Sequence, residues 1–519
     1  MRRLIAGLAL VLAVAACQVN PVTGERHFQV YGSDWETEVG ATMFQPLKQS
    51  QGGEFILDPS LSDYVSEVGQ RLARQARRKD ELDFEFSVLN SSVPNAWALP
   101  GGKIVINRGL LTQLDSEAEL AAVLGHEIVH ADAAHGARQQ SKGMLAQIGA
   151  VASMIVLGGT LDNPSARELA MLVPVTGLQL IMQKNGRDAE RESDEYGMRY
   201  MTEAGYDPQG AVELQETFLE LAGDRRQDWL SGLFASHPPS RERLENNRET
   251  AAELPAGGER GGERFHRNTA YLRRVQPAYD AYDEAGKLAA DEQLSEAAEK
   301  LESALAIEPR EALFHGLAGD LHALADRDQE ALAAYRRTIE LNPGLFYGYL
   351  RAGQIEFRNG QHDQANANLR TSLDLLPTAE AHYLLGRLAM EDGDADSAVE
   401  HYRAAAQSNS DAGKKAQREL ARLQLEQDPS GAVSAQALFD SRGQAWVELG
   451  NRTGVPLTDI RIDYTWLDDA GRTRRDSRTF PGPLAGGARQ RFELGLSFDD
   501  PASAGQRIRL QVTQAQLAD

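Results

Sequence analysis

The sequence is poor in cysteine, in positive charge and in long apolar runs, and each shortage excludes a class of protein. Its 519 residues include a single cysteine, Cys17, so no disulfide can form within the chain. The 54 lysines and arginines are outnumbered by 76 aspartates and glutamates, and the net charge of −22 argues against nucleic acid as a partner. No apolar segment reaches the ~20 residues that a membrane-spanning helix needs, so an integral-membrane enzyme is not expected.

What remains is typical of folded globular proteins, with 42% hydrophobic and 25% charged residues. At ~150 residues per domain, the length predicts three or four domains.

The N-terminus has the features of a bacterial export signal. Two arginines precede an apolar run, Leu4 to Val14, that is too short for a stop-transfer helix. The following Val14-Ala15-Ala16-Cys17 resembles a lipobox, which implies removal of residues 1–16 and lipidation of Cys17. An ordinary signal peptide with an unmodified cysteine is the alternative. Gln18, in place of an aspartate, favours the outer membrane as the destination.

The pattern His126-Glu127-Ile128-Val129-His130 predicts a zinc site on a helix. Positions four apart share a helix face, so both imidazoles can reach one metal ion, and Glu127 lies beside them as a base for water. Ser116 and Glu119 predict a capping box at the start of this helix. The alternative is a helix with two incidental histidines.

A catalytic zinc ion needs a third protein ligand, and the segment Asp188 to Gly197 offers one. Glu190 and Asp194 share a helix face, so Glu190 could bind the metal while Asp194 accepts a hydrogen bond from a ligand imidazole. A solvated acidic helix face is the alternative, and Glu192 and Glu195 are expected to belong to such a face.

A site with a third histidine can be excluded. It would need a glycine three residues after His130 and a histidine six after it, and the sequence has Ala133 and Gly136 there. His135, five residues after His130, is expected to end the helix.

A hairpin is predicted before the metal helix, because Gly101-Gly102 precedes the strand-like run Lys103-Ile104-Val105-Ile106-Asn107. An exposed strand beside a metal helix can hold an extended substrate by edge pairing. A purely structural hairpin is the alternative.

Four motifs together resemble one family, the BepA-like periplasmic zinc metallopeptidases, kin of HtpX and the CAAX prenyl proteases. Their order and spacing match over residues 20–250. Ser193 is one departure, since the family usually has alanine there. The motifs are Asn95-Ala96-Trp97-Ala98-Leu99-Pro100-Gly101-Gly102, His126-Glu127-Ile128-Val129-His130, Glu190-x-x-Ser193-Asp194, and Ser236-His237-Pro238 with Arg243.

The resemblance implies one zinc ion per chain and a role for each motif residue. In the family, the histidine of the Ser-His-Pro motif can also sit on the zinc in a closed state, under a plug that covers the cleft. From the residues alone, a helix that begins after Ser240 explains this motif equally well. The implied roles are metal ligands for His126, His130 and Glu190, base for Glu127, hydrogen-bond partner of a ligand for Asp194, contact with the reacting carbonyl for His237 and Arg243, and substrate pairing for Lys103, Ile104, Val105, Ile106 and Asn107.

Two uncharged apolar segments lie between residues 144 and 183, after the metal helix. Three interpretations stay open: core helices, a plug over the active-site cleft, or an element that touches the membrane.

An internal repeat follows a linker rich in alanine, glycine and proline. Its period of ~34 residues, with small residues at helix contacts, is typical of tetratricopeptide repeats. Tyr335 and Tyr402 occupy the aromatic position, and about four repeats fit between Ala270 and Glu426. The residues that recur every 33 or 34 positions are Pro309, Pro343 and Pro377; Ala297, Ala331, Ala365 and Ala398; and Gly319, Gly353 and Gly386.

The chain is therefore predicted to be multidomain. Short alternating strands after Ser434 indicate a small β-sandwich of the immunoglobulin or fibronectin kind. The predicted domains are a signal peptide (1–16), a lipidated tether with the first helix (17–47), a mainly α zincin-type zinc metallopeptidase domain with a small β-sheet (48–250), a linker (251–265), an α-solenoid of tetratricopeptide repeats (266–428) and the β-sandwich (434–519).

The resulting hypothesis is a zinc endopeptidase of the Gram-negative periplasm, lipid-anchored to the outer membrane. It would cleave unfolded or misassembled proteins in outer-membrane protein quality control. The repeats would contact the outer-membrane assembly machinery. The alternative is a chaperone or assembly scaffold that acts through the repeats while the peptidase domain stays latched.

Overall fold

A computed structural model describes residues 17–142, 186–223, 237–468, 471–499 and 501–518. The chain forms two compact units, Met1–Gly348 and Tyr349–Asp519. The predicted signal peptide, the apolar segments between 144 and 183, and Ser236 lie outside the described residues.

The first unit begins with a short hairpin and continues as a mainly helical domain around one three-stranded sheet. The predicted linker, residues 251–265, lies within this unit. The elements are β1 (Cys17–Val19), β2 (Arg26–Phe28), α1 (Ser33–Ser50), α2 (Pro59–Ala73), β3 (Glu85–Leu89), β4 (Ala96–Leu99), β5 (Lys103–Asn107), α3 (Arg108–Leu111), α4 (Glu117–Asp132), α5 (Arg187–Glu203), α6 (Gln209–Gly223), α7 (Arg241–Glu253) and α8 (Gly262–Asn268).

The sheet has the order β3-β5-β4, with β3 parallel and β4 antiparallel to β5. The hairpin between β4 and β5 is confirmed, and its turn uses the positive φ angles of Gly101 (84°) and Gly102 (85°). The expectation that Lys103–Asn107 offers a free edge is wrong. This run is the central strand, and its backbone is paired on both sides. The outer strand on this side of the sheet is β4.

Helix α4 carries the predicted zinc motif, and all of its residues except His126 are buried. Ser116 caps it by accepting a hydrogen bond from the Glu119 backbone N–H at 3.2 Å, as the capping box predicts. The apolar face of α4 is buried against α2, α5, α6 and the sheet. Its members are Leu120, Val123, Leu124, Ile128 and Ala131.

Helices α4 and α5 cross where two glycines meet. A Cβ added to Gly197 would stand 2.9 Å from the His126 backbone nitrogen, and one added to Gly125 would stand 3.0 Å from the Gly197 carbonyl oxygen. The absence of both side chains lets the backbones approach closely, which brings the acidic face of α5 to the histidines of α4.

Beyond α8 the chain forms antiparallel helix pairs, and the predicted repeats are confirmed. The first pairs belong to the first unit, and α13 spans the boundary between the units. The helices are α9 (Ala270–Ala290), α10 (Leu294–Ile307), α11 (Ala312–Leu324), α12 (Asp328–Leu341), α13 (Phe346–Arg358), α14 (His362–Leu375), α15 (Ala379–Glu391), α16 (Ala395–Ala405), α17 (Asp411–Gln427) and the short α18 (Pro429–Ala432).

The repeated glycines are needed because the repeated tyrosines pack directly against them. A Cβ on Gly319 would stand 2.3 Å from the Tyr335 ring, and one on Gly386 would stand 2.6 Å from the Tyr402 ring. Both tyrosines are fully buried. The missing side chain on the first helix of a pair is thus the space that the aromatic ring of the second helix fills.

The C-terminal strands form two three-stranded antiparallel sheets that share one core, as the predicted sandwich requires. The sheet orders are β10-β7-β6 and β11-β8-β9. In the described part of the chain, no helix has the length and apolar character needed to cross a membrane. The elements are β6 (Val433–Phe439), β7 (Gln444–Asn451), β8 (Leu457–Leu467), β9 (Thr473–Phe480), β10 (Arg489–Ser497), α19 (Pro501–Arg507) and β11 (Ile508–Leu517).

Candidate metal centre

Four side chains from three separate stretches of the first unit converge on one point. His126 and His130 come from α4, Glu190 from the first turn of α5, and His237 from the residues before α7. One ligand atom from each lies within 4.8 Å of the other three. Three of the four are buried and His126 is half-buried, so the group is shielded from solvent.

The distances fit a tetrahedral metal ion. Four ligands at the ~2.0–2.1 Å typical of zinc–nitrogen bonds stand ~3.3 Å apart. The Nε2 atoms of His126 and His130 are 3.0 Å apart, and each lies 3.5 Å from a Glu190 carboxylate oxygen. His237 Nδ1 is 3.2 Å from His126 Nε2 and 3.0 Å from Glu190 Oε1. The donor set of imidazoles and one carboxylate is also the set that zinc prefers.

Asp194 lies one helical turn after Glu190 and contacts His126 from the side away from the group. Its Oδ1 is 2.9 Å from His126 Nδ1. The Arg243 guanidinium donates to both oxygens of this carboxylate at 2.7 Å and lies 3.0 Å from Glu190 Oε2. Because a carboxylate only accepts, Nδ1 of His126 carries a proton, and in the neutral ring that can bind a metal the lone pair lies on Nε2, which faces the group.

Arg243 starts α7, which Ser240 caps by accepting a hydrogen bond from the Arg243 N–H at 3.1 Å. The predicted helix entry is therefore correct. All three guanidinium nitrogens of Arg243 are engaged, with Asp194, Glu190 and the Pro238 carbonyl.

The glutamate between the two histidines, Glu127, is also buried at the centre, with only 3% of its surface exposed. Its Oε1 lies 3.5 Å from His237 Nε2. Burial raises the pKa of Glu127, although the neighbouring His237 and His126 oppose the shift. A carboxyl group whose pKa is raised toward neutrality is suited to take up and release a proton.

The electrostatics of the histidines differ. Burial acts to lower the pKa of His126, but the hydrogen bonds of Asp194 and Glu190 raise it to about 10. Burial lowers the pKa of His130 well below its usual range. The pKa of Glu190 is held far below its usual range despite burial, because His237, His126 and His130 surround it. The carboxylate is thus anionic, as a metal ligand must be.

Two residues that were not predicted to belong to the site, His135 and Glu192, lie behind His130. His135 Nδ1 lies 2.8 Å from His130 Nδ1, and His135 Nε2 lies 3.4 Å from the carboxylate of Glu192. The expectation that Glu192 is a solvated residue is wrong, since its side chain is only 11% exposed. Although burial would raise it, the hydrogen bonds of His135 and Asn20 hold the pKa of Glu192 at about 2.

Periodicity fails for His135 because α4 ends before it. Ala134 has a positive φ of 54°, so the chain turns and residues 135–142 start a new helical stretch. The turn returns His135 to His130. The one signal for it is a second histidine close after the motif.

A cavity of about 30 Å³ adjoins His126 and Glu127. Its walls are mostly apolar and come from β4, α3, α4, α5 and α6. Of the other predicted site residues, Lys103 to Asn107 form β5, one strand further from the centre than β4, and Cys17 begins β1. The apolar side chains that line the cavity are Ala96, Leu110, Ala122, Val123, Met198, Ala211, Leu214 and Phe218.

Comparison with known proteins agrees with this geometry. Residues 59–251 match peptidase family M48, and residues 282–345 and 350–413 match the tetratricopeptide repeat. The chain is 27% identical over 417 residues to the beta-barrel assembly-enhancing protease of Escherichia coli (strain K12), covering 72% of this chain and 84% of the relative. It is 34% identical over 224 residues to the mitochondrial metalloendopeptidase OMA1 of Arabidopsis thaliana, covering 40% and 43%.

The family match contains every residue of the centre, from the two histidines of α4 to Arg243. The longer alignment extends well beyond that domain. The chain is therefore a metallopeptidase with a peptidase family M48 domain and tetratricopeptide repeats, homologous to the beta-barrel assembly-enhancing proteases.

Proposed function

We propose that the protein is a zinc-dependent endopeptidase that cleaves unfolded or misassembled polypeptides during the assembly of outer-membrane proteins. The observation that carries the proposal is the group of His126, His130, Glu190 and His237, with Glu127 beside it. It supplies a complete ligand set and a base in one buried place.

The ligands of the working enzyme are His126, His130 and Glu190. These residues would hold a zinc ion, which would supply Lewis-acid chemistry toward a water molecule and the scissile carbonyl. Glu127 takes a proton from the attacking water and delivers it to the leaving amine. Asp194, held by Arg243, keeps the His126 ring oriented.

His237 occupies the place that water or substrate needs. Its Nδ1 stands among the ligand atoms, 3.0 Å from Glu190 and 3.2 Å from His126. This arrangement is a closed state, in which His237 would act as a fourth ligand and must leave before a substrate carbonyl can enter. Once displaced, it remains close enough to donate a hydrogen bond to the developing oxyanion, the role that the sequence suggests.

The substrate binds as an extended strand along the outer edge of β4 (Ala96–Leu99). This strand takes over the role that the sequence gives to Lys103–Asn107, because β4 packs on α4 and only its β5 side is paired in the described part of the sheet. Ala96 also borders the apolar cavity next to Glu127. Because the cavity has a volume of about 30 Å³, only a small apolar side chain adjacent to the scissile bond would enter it. A folded protein cannot present such a segment, so unfolded or misassembled chains are the expected substrates.

The proposed cellular location and role are supported by the relatives and by the N-terminal sequence. Members of the matched group are named beta-barrel assembly-enhancing proteases, which supports a role in outer-membrane protein quality control. Lipidation of Cys17 would anchor the chain to the outer membrane on its periplasmic side. The tetratricopeptide repeats would bind the assembly machinery or its clients.

The first test compares wild type with Glu127→Gln. Metal content is measured together with degradation of a reduced, unfolded casein-type substrate. We expect one zinc ion per chain in both proteins and cleavage by wild type alone, since the amide keeps the shape of the carboxylate but cannot accept the proton. Treatment of wild type with a chelator, followed by added zinc, should abolish and restore cleavage. Cleavage by the Glu127→Gln variant would refute the mechanism.

The closed position of His237 also favours a second candidate, a scaffold whose peptidase site stays latched. The same experiment separates the two functions. If both proteins bind zinc and neither degrades substrate, the repeats carry the function and the centre is structural.

A further inference from the structure

We propose that His130 is positioned by a hydrogen-bond relay that runs through His135 and Glu192 to Asn20 in the N-terminal tether. The proposal rests on the metal site described above and concerns residues that have no role in that site so far. The relay occupies the side of His130 opposite the metal.

The contact between the two histidines fixes which nitrogen of His130 faces the metal. His130 Nδ1 and His135 Nδ1 are 2.8 Å apart, so one of them must donate and the other accept. His130 can bind a metal through Nε2 only as a neutral ring with its proton on Nδ1. In that state His130 donates to His135, whose Nδ1 accepts.

Glu192 selects this tautomer of His135. A neutral ring that accepts at Nδ1 carries its proton on Nε2. The buried Nε2 of His135 has no hydrogen bond of good geometry within the described residues, and its contact with the Glu192 carboxylate, at 3.4 Å, has the distance of an ion pair. A carboxylate only accepts, so it orients both rings in turn and directs the lone pair of His130 Nε2 toward the other ligands.

The tether holds the other oxygen of Glu192. Asn20 is 2% exposed, and its side-chain amide donates to Glu192 Oε1 at 2.5 Å. The Asn20 Oδ1 accepts from the backbone N–H groups of Val22 (2.9 Å) and Thr23 (3.3 Å), which locks the amide orientation inside a turn. Arg138 adds a cation 3.4 Å from Glu192 Oε2.

The tether is docked at a second point on the same face. The backbone N–H of Val30 donates to the Ser141 Oγ at 2.9 Å, and Ser141 is fully buried. Residues 135–142 are therefore held between the tether on one side and His130 on the other. The two histidines of α4 thus have separate supports, because Asp194 and Arg243 hold His126 while His135, Glu192 and Asn20 hold His130.

The test measures metal affinity by competition with a chromophoric chelator, using full-length protein. His135→Met fills the space without an acceptor for His130, and we expect a roughly ten- to hundredfold loss of zinc affinity, the range found when a partner of a metal ligand is removed. His135→Gln offers an amide oxygen in the same direction and should recover most of that loss. The visible absorption of the cobalt-substituted protein should shift in His135→Met and return in His135→Gln.

The outer part of the relay is tested with Glu192→Ala and Asn20→Ala. Glu192→Ala should approach the loss of His135→Met. Asn20→Ala should give a smaller loss, roughly two- to fivefold, because it removes one hydrogen bond to the carboxylate. Glu195→Ala is the matched control, since Glu195 lies on the same helix, pairs with Arg199 and touches no part of the relay. It should bind zinc as wild type does.

The outcomes separate the relay from the metal site. Thermal unfolding in the presence of a chelator shows whether each variant is folded without metal. If His135→Met is unstable, Asn20→Ala still tests the relay, because it changes only a residue of the tether. If wild type binds zinc and the relay variants bind it equally well, the relay is refuted and the metal site stands. If wild type binds no zinc, both are refuted.

Discussion

At the scale of single residues, the position of His237 determines whether the centre is open or closed. Its Nδ1 lies among the ligand atoms while its Nε2 lies 3.5 Å from Glu127. One side chain therefore blocks the site of the attacking water and crowds the base at the same time. A residue that only stabilised an oxyanion would not need to contact Glu190.

His237→Ala is expected to raise the rate at which the full-length protein degrades an unfolded substrate, severalfold at saturating zinc. The physical reason is that substrate no longer competes with an imidazole for the fourth position. Zinc affinity should fall modestly, because one ligand is lost. Initial rates at several substrate concentrations provide the measurement. Loss of cleavage in this variant would instead support the oxyanion role as the main one.

Local spacing could predict the ligands but not their supports. His126 and His130 follow from the helical period, and Glu190 with Asp194 from the same rule on α5. The sequence missed His135 because the positive φ of Ala134 ends the period. It missed Glu192 because this residue, two positions after Glu190, lies on a different face of the helix. That face is buried only because the tether packs against it.

At the scale of elements, the crossing of α4 and α5 sets the size of the centre. His126 and Gly125 lie directly against Gly197, with no side chain between the backbones. Glu190 and Asp194 lie on the same helix as Gly197, within two turns of it. Any increase in the helix separation therefore moves a ligand and a ligand's partner together.

Gly197→Ala is expected to weaken zinc binding and cleavage together, at least tenfold each. The added methyl group would stand 2.9 Å from the His126 nitrogen and 3.0 Å from the Gly125 carbonyl carbon, and backbone cannot yield as a flexible side chain does. Gly186→Ala is the matched control. Gly186 precedes the same helix, and among the described residues a Cβ there meets nothing within 4 Å. Equal zinc affinity in the two variants would contradict this account of the crossing.

The second unit contains a histidine pair with a predictable pH response. His382 on α15 and His401 on α16 face each other with their Nδ1 atoms 3.0 Å apart. Burial lowers the pKa of both rings, reinforced by His401 for His382 and by Arg370 for His401. Both rings are therefore expected to be neutral in the folded repeats at neutral pH.

The repeats should lose stability as the pH falls below about 6.5, the ordinary pKa of histidine. A folded-state pKa below the unfolded one means that the unfolded chain takes up protons first, so acid favours unfolding. His382→Gln should flatten the fall in melting temperature between pH 7.5 and pH 5.5. His401→Gln should flatten part of it as well, and the double variant should flatten it most, because burial lowers the pKa of each ring independently. An unchanged slope in both single variants would show that these rings do not set the pH response.

The order of the strands in the three-stranded sheet of the first unit could be predicted only in part from the sequence. The hairpin of β4 and β5 is local and was predictable from Gly101-Gly102. The pairing of β3 with β5 is parallel and joins the second strand of that hairpin to a strand that precedes the hairpin in the chain. No local sequence pattern predicts this parallel pairing. The free edge of the sheet was therefore expected at β5, whereas β4 is the outer strand.

At the scale of the whole molecule, the repeats and the metallopeptidase domain share a core in the first unit. The guanidinium of Arg108, which follows β5 directly, lies 3.4 Å over the Tyr279 ring of α9. Phe55 also packs on Tyr279, with ring centroids 6.4 Å apart. The composition of residues 251–265 predicts a domain boundary there. Composition alone cannot predict that the helices after this boundary pack against the metallopeptidase domain.

Truncation tests how far this shared core matters. Glu117, at the start of α4, is 1% exposed and accepts hydrogen bonds from Tyr64 (2.9 Å), Tyr206 (2.8 Å) and Arg264 (2.8 Å). Of these partners, only Arg264 is a cation, and it lies beyond the predicted end of the domain. A chain that stops at residue 253 keeps the buried carboxylate without its counter-ion, and this destabilises the fold by less than the ~3–5 kcal/mol of a fully buried pair, because the Arg264 side chain is 34% exposed.

We therefore expect residues 17–253 to aggregate or to unfold without a cooperative transition, and residues 17–348 to remain soluble, bind zinc and unfold cooperatively. The longer fragment keeps Arg264 beside Glu117 and Tyr279 over Arg108. It also keeps the hydrogen bond from the Gln49 side chain to the Gly344 carbonyl at 2.7 Å, which ties α1 to the chain just before α13. Solubility, zinc content and calorimetric unfolding of the two fragments provide the comparison. A shorter fragment that folds and binds zinc as well as the longer one would show that the peptidase domain is independent of the repeats, and the domain division predicted from composition would then be the physical one.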